Sequence, residues 1–238
     1  MIDLNIPEGK SGNFSIIIHP NGGEYTYFGN VKKKTNKKTF FLYEGNTSWM
    51  STTPMEYLHM CRSAQWCQNG DMVLIGGLGL GILPTLIGDQ ANRITIVEIN
   101  QDVINLVWPY IKTDKMELIK DDIEKYLEKS DKKFDYIFLD TWSNADYLNL
   151  VCINDLKNKA KRVLNTKGHI LCWAESIMKK SLRKEYETIS INYLRRLLPL
   201  NKRLLEYMIA YPYFYHFYCW LADYISKIQM EEAGPLLF

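Results

Sequence analysis

Between residues 71 and 175 the chain alternates short apolar runs with stretches of helical periodicity, and no other feature narrows its possible folds as much. "MVLIGG" is followed by "GILPTLIG", "RITIVEI" by "QDVINLVWPYI", "MELIK" by "DDIEKYLEK", and "FDYIFLD" by "NDLKNKAKRVLN", before a last run "HILCWAE". Four to seven β-prone apolar residues flanked by turn signals read as strands, and the longer amphipathic stretches between them as helices. Strands separated by helices must run parallel, and both faces of such a sheet are covered. The expectation is an α/β fold with a mostly parallel sheet and helices on both faces.

The first 45 residues read differently. "FSIII", "GEYTYFG" and "KTFFLYEG" are β-prone runs separated by "HPNGG" and "KKKTNKK". They predict a small antiparallel β unit over 1–45, with Lys32 to Lys38 at a solvated hairpin tip. Residues 46–70 then read as a connecting helical segment that begins after Pro54, with Thr53 as its N-cap. The α/β domain is expected over 71–238. Its last part holds a basic amphipathic helix, "KKSLRKEYETISINYLRRLL", and an aromatic segment, 207–225, read as core or as a surface for homo-oligomer contact.

Composition limits the function classes. Of 238 residues 47% are hydrophobic, which suits a sizeable core, and a formal charge of +2 gives no global reason to bind nucleic acid. The start "MIDLNIPEGKSG" lacks the pattern of a secretory signal, and no 18-residue stretch is apolar enough for a membrane span. Cys61, Cys67, Cys152, Cys172 and Cys219 form no C-x-x-C pair. They are expected to be reduced thiols, with a cytoplasmic location and no metal site.

In a parallel sheet, ligands bind beyond the carboxyl ends of the strands. Those ends carry a series: Gly77, Gly79 and Gly81 after the first strand, Glu98 after the second, Asp121 and Asp122 after the third, and Asp140 after the fourth. Glycines permit torsions and close approach that a Cβ prevents. Glu98 lies 17 residues after Gly81, a spacing at which a carboxylate meets a ribose diol. Asp122 is placed to accept an adenine amino proton while the Ile123 N–H meets a ring nitrogen. Structural readings stand beside these: either aspartate as a helix cap, Asp140 as a cap, Trp142 as packing, and His59 and His169 as surface or core. No lysine follows the glycine turn, which disfavours a triphosphate cradle.

The combination "VLIGGLGLGILP", "ITIVEINQDVINLV", "MELIKDDI" and "FDYIFLDTW" resembles the class I S-adenosylmethionine-dependent methyltransferase superfamily, in particular its spermidine synthase-like branch. The resemblance implies a Rossmann-like fold. It implies S-adenosylmethionine, or its decarboxylated form, held by Gly77, Gly79, Gly81, Glu98, Ile99, Asp122 and Ile123, with Asp140 as the catalytic residue. Trp142 would shape the acceptor pocket, and Tyr57 would close over the tail of the cofactor. Ile75 stands where many methyltransferases have an acidic residue, as in the polyamine branch.

The chain departs from that branch where its chemistry is made. Aminopropyltransferases typically read G-G-G-D-G-G, with an aspartate for the aminopropyl amine, and Gly79 aligns with it. Their D-S-S-D-P is here "DTWSNAD", which retains Asp140 but leaves too few carboxylates for a polyamine tunnel. "DTWS" is not the [DNS]-P-P-[YF] of amino-methylating nucleic-acid enzymes, and no cysteine follows a proline. Asp140 and Glu175 are too few oxygen ligands for a divalent cation. The expectation is therefore a methyltransferase acting on a small-molecule substrate. Polyamine aminopropyl transfer is the alternative, and a non-catalytic binding or assembly protein is a third reading.

Overall fold

In a computed structural model the described residues are 4–20, 24–27, 31–34 and 37–185, with the backbone alone described for 24–27 and 31–34. The chain divides into compact units Met1–Glu175 and Ser176–Phe238. Of the second unit only 176–185 is described, and it is helical. The aromatic segment 207–225 and most of the basic helix lie outside the described residues.

The N-terminal part contains strands β1 (Gly9–Ser11), β2 (Phe14–His19), β3 (Glu24–Tyr27), β4 (Val31–Lys34), β5 (Thr39–Glu44) and β6 (Thr47–Ser51). Four of them form an antiparallel sheet in the order β1-β2-β5-β6, and β3 pairs with β4. The expected β unit is present, with two differences. Lys32–Lys34 belong to strand β4, paired across to Thr26–Glu24, rather than to a hairpin tip. The sheet also takes in Thr47–Ser51, part of the stretch expected to be connecting, because Phe41–Glu44 offers a free edge that β6 pairs with.

Helix α1 (Pro54–Ala64) starts at the proline, whose fixed φ suits the first helical turn. Thr53 makes no side-chain cap; its hydroxyl meets the Ser51 hydroxyl at 2.9 Å instead. The alternation then runs as the sequence predicts: β7 (Met72–Gly76), α2 (Ile82–Ile87), β8 (Arg93–Glu98), α3 (Gln101–Ile111), β9 (Met116–Lys120), α4 (Ile123–Lys129), β10 (Phe134–Leu139), α5 (Leu150–Ala160) and β11 (Leu164–Cys172). The five strands form one parallel sheet in the order β11-β10-β7-β8-β9. Strand order thus reverses between β7 and β10, the doubly wound arrangement in which the crevice beside the first strand receives ligands. The last strand begins at Leu164 rather than at His169, because Leu164 already pairs with Phe134 across an irregularity in β10.

The two faces of the sheet are legible residue by residue. Val73, Ile75, Ile94, Ile96, Tyr136 and Phe138 point into one core, which also contains Leu4, Ile6, Phe14, Ile16, Phe40 and Leu42 from the N-terminal part. Leu74, Val97, Ile137 and Leu139 point the other way, onto Leu127 of α4 and Leu156 and Ala160 of α5. Each such fully buried aliphatic side chain contributes about 1.5–3 kcal/mol. The small β sheet therefore shares a core with the parallel sheet. A Ser11 hydroxyl donated to Asp102 Oδ1 at 2.7 Å ties β1 to α3. Cys61, Cys67, Cys152 and Cys172 form no disulfide among the described residues, and burial, with Asp71 nearby, pushes Cys67 up to about 11.

Candidate functional site

The turn after β7 folds as it does because three glycines take positive φ: 97° at Gly77, 50° at Gly79 and 68° at Gly81. At Gly77 a side chain is also excluded by space, since a Cβ would collide with the carbonyl oxygen of Asp140. That close approach brings the end of β10 against the turn, where the Asp140 N–H donates to the Gly76 carbonyl at 2.9 Å. The helix that follows is short, and Pro84 in its first turn removes a donor. It is a weaker anion-facing terminus than the sequence alone suggests.

A cavity of about 500 Å³ opens at the carboxyl ends of the strands. Gly77, Gly79, Glu98, Ile99, Asp122, Ile123, Asp140 and Trp142 all line it, so most of the residues singled out in the sequence converge on one space. Gly81 does not line it; it forms the N-cap of α2 in a left-handed conformation. Tyr57 does not line it either and packs against the larger core. Ile99 is 64% exposed beside the cavity, an unburied apolar surface suited to a flat ring.

The charge of the lining is one-sided. Among the described residues Glu44, Glu98, Asp121, Asp122, Glu124 and Asp140 contribute carboxylates to the lining, and no lysine, arginine or histidine does. Such a cavity repels phosphate and favours cations. Glu98 is held in place on both sides: the Leu78 N–H donates to Oε2 and the Asn100 N–H to Oε1, each at 2.8 Å. Burial pushes its carboxyl up from the ordinary range, while the N–H groups of Leu78, Asn100 and Ile99 pull it down. Asp122 accepts from the Glu124 N–H at 2.7 Å, so it caps α4 as well as lining the cavity. Asp140 is pushed well up, first by burial and then by the neighbouring charges of Glu56 and Glu98.

Several contributors had no signal at the strand ends. Phe14, Leu42, Glu44, Trp49 and Met50 of the N-terminal sheet form a wall of the cavity. Glu56 of α1 accepts from Trp173 Nε1 at 2.8 Å, and the Trp173 N–H in turn donates to the Leu139 carbonyl at 2.9 Å. This pair ties α1 to the end of β10 and holds a carboxylate in the field of Asp140. The only clue in the sequence is an acidic residue one turn into α1, which ordinary helix-dipole preference also explains. Trp142 Nε1 is buried without a hydrogen-bond partner, a donor that a ligand in the cavity can satisfy. Among the described residues no group of three His, Cys, Asp or Glu side chains could hold a metal ion, and no helix is long and apolar enough to cross a membrane.

No family model matches the chain. Polyamine aminopropyltransferases of Prochlorococcus marinus are similar to it at low identity. That of strain MIT 9301 is 25% identical over 182 residues, which is 69% of this chain and 62% of that protein. That of strain MIT 9515 is 27% identical over 173 residues, covering 69% and 59%. The chain spans about three-fifths of the length of these curated relatives. Among solved structures, the N-methyltransferase NodS of Bradyrhizobium japonicum WM9, in complex with S-adenosyl-L-homocysteine, is 14% identical with a TM-score of 0.42, over 51% of this chain and 62% of that one. A ribosomal protein L11 methylase of Lactobacillus delbrueckii subsp. bulgaricus is 20% identical with a TM-score of 0.39, over 48% and 56%.

Proposed function

We propose that the chain is a transferase that binds an adenosyl sulfonium donor of the S-adenosylmethionine type and passes a methyl group to a small amine. The observation that carries this reading is the cavity at the strand-order reversal, to which the described residues contribute six carboxylates and no basic side chain. Dinucleotides and triphosphates bring negative charge and would leave those carboxylates opposed by like charge. A sulfonium nucleoside and an ammonium acceptor both bring positive charge.

In this reading Glu98 takes the ribose diol, its orientation fixed by the Leu78 and Asn100 N–H groups. Asp122 and the Ile123 N–H take the adenine edge, and Ile99 covers a face of the ring. The sulfonium then lies toward Asp140, with the rest of the donor along Gly77 to Gly79. The donor supplies an electrophilic carbon when bound. Asp140 accepts the proton of the acceptor ammonium, and the freed nitrogen lone pair forms the new N–C bond. The S–C bond breaks with its electron pair retained by sulfur, which leaves a neutral thioether. A carboxyl whose proton affinity is raised by burial and by Glu56 is better matched to this task than an ordinary one.

Calorimetry with S-adenosyl-L-homocysteine tests the donor assignment. The expected Kd is on the order of 10 µM, weakened about tenfold or more by Glu98→Ala. Absence of heat at millimolar ligand, or equal binding of NAD, would refute it. Aminopropyl transfer from the decarboxylated donor is the second reading. It is favoured by the names of the sequence relatives and by the carboxylates that the N-terminal sheet and α1 add to those read from the strand ends.

A further inference from the structure

Strand β6 holds one residue too many for its pairing with β5. Leu42 pairs with Met50 and Tyr43 with Ser48, so Trp49 between them has no partner of its own. Such a bulge re-aims a side chain, and bulges recur beside functional sites. Unbulged pairing would set Trp49 opposite Tyr43, on the face away from Leu42 and Met50. With the bulge, Trp49 and its neighbour Met50 both line the cavity. Two further residues meet Trp49 there. Its Nε1 donates to Glu44 Oε2 at 2.8 Å, and its ring centre lies 6.3 Å from that of Phe14, the planes tilted by 48°. Phe14 and Glu44 are paired directly across β2 and β5, and both line the same cavity. Trp49 is 39% exposed, so this corner reaches solvent. Among the described residues nothing donates to Glu44 Oε1.

We propose that Phe14, Glu44 and Trp49 form a subsite for an N-alkylated ammonium group of the acceptor, separate from the nitrogen that reacts at Asp140. The proposal rests on the methyl-transfer reading above only in giving that cation to the acceptor. Two aromatic rings beside one carboxylate attract a cation through the ring quadrupoles and the charge together. The donor count then selects among cations. A primary ammonium carries three N–H donors, and this corner offers one free carboxylate oxygen and two ring faces. Two of its donors would lose water without a partner there. A trialkylated ammonium has a single N–H, which Glu44 Oε1 can accept, and alkyl groups that the rings cover. The other carboxylates of the lining, Glu98, Asp121, Asp122, Glu124 and Asp140, all belong to the parallel-sheet part of the fold. A primary ammonium is better served among those oxygens, an alkylated one at the corner. The hydrogen bond from Trp49 Nε1 fixes both the indole and the carboxylate, so little side-chain freedom is lost on binding.

The test titrates the full chain, saturated with S-adenosyl-L-homocysteine, with trimethylammonium, methylammonium and the uncharged tert-butanol, followed by ligand-observed NMR. Trimethylammonium should bind with a Kd on the order of 1 mM, and tert-butanol about tenfold more weakly or worse. Trp49→Leu should weaken trimethylammonium about tenfold while methylammonium changes less than about twofold. Trp49→Phe, which keeps a ring, should hold trimethylammonium within about threefold, and Glu44→Gln should weaken it about threefold or more. These two variants carry the test should the leucine variant fail to fold. The proposal is overturned if trimethylammonium does not bind, if tert-butanol binds as well, or if folded variants weaken methylammonium and trimethylammonium equally or neither. Failure of S-adenosyl-L-homocysteine to bind the unaltered protein refutes the sulfonium reading instead, and the three titrations are then read without it. Normal binding of that nucleoside with no loss of trimethylammonium in Trp49→Leu refutes the subsite alone.

Discussion

The carboxyl ends of β8 and β10 carry two acids in the same cavity, and their surroundings differ. Glu98 sits at 8% exposure with a backbone N–H on each carboxylate oxygen. Those bonds fix its rotamer and lower the proton affinity that burial raises. Asp140 is raised by burial too, but what adds to it is repulsion from Glu56 and Glu98. Among the described residues no donor is found on its carboxylate. One acid is committed and oriented, suited to holding; the other is under-solvated and crowded by charge, suited to taking a proton. The glycine turn that separates them explains the asymmetry. Its Leu78 N–H points to Glu98, while its Gly77 presses against the backbone of Asp140 and offers it no N–H.

The sharpest way to break this contrast is to neutralise each acid in turn. Asp140→Asn should lower kcat by about a hundredfold or more while the affinity for S-adenosyl-L-homocysteine changes less than about threefold, measured by steady-state kinetics and calorimetry. The same variant carries a stability signature. A carboxyl whose folded proton affinity exceeds its unfolded value penalises folding once it ionises, so that penalty grows as pH rises through the raised value. Asp140→Asn should therefore raise Tm more at pH 8 than at pH 5, read by differential scanning fluorimetry.

Glu98→Ala should act in the opposite sense: donor affinity falls about tenfold or more, and Tm falls because the Leu78 and Asn100 N–H groups lose their acceptors, a loss of about 1–3 kcal/mol. If instead kcat falls and affinity holds, the division of roles is wrong. Gly77→Ala probes the link between the two ends. Its Cβ meets the Asp140 carbonyl at a positive φ, so it should cost about 2–3 kcal/mol by urea unfolding. Gly70→Ala, at φ 91° with nothing within 4 Å, should cost about 1 kcal/mol, the strain alone. The smallest expected effect is that of Glu56→Gln. The amide can still accept from Trp173 Nε1 but removes one charge beside Asp140. The acid limb of the kcat profile, where activity is lost as pH falls through the raised Asp140 value, should then move to lower pH with little change at pH 8. An unmoved limb would remove Glu56 from the account.

The parallel sheet was readable because its signal is local. A strand buried on both faces must be apolar along its length, and "MVLIG", "RITIVE" and "FDYIFL" could serve as little else once helices separated them. The ends of those strands were readable for the same reason, since Glu98, Asp122 and Asp140 follow the apolar runs directly. The N-terminal sheet was readable only in part. Thr47–Ser51 has burial alternating too weakly to announce a strand, and it becomes one because the edge of β5 is there to pair with. Tyr57 shows the converse: on a helix read correctly from Pro54, the facing of one side chain was set by packing that the sequence does not display.

The sequence by itself determined the alternation of strand and helix, the glycines that let the first turn fold, and the acids at the strand ends, because each follows from residues close along the chain. Only the tertiary structure decided that Met50, Trp49 and Glu44 wall the same cavity, that Glu56 crowds Asp140, and that Glu98 is committed to backbone donors. Those relations join residues tens of positions apart, and the energies that fix them, burial, close approach and charge in a water-poor space, exist only once the two sheets share a core.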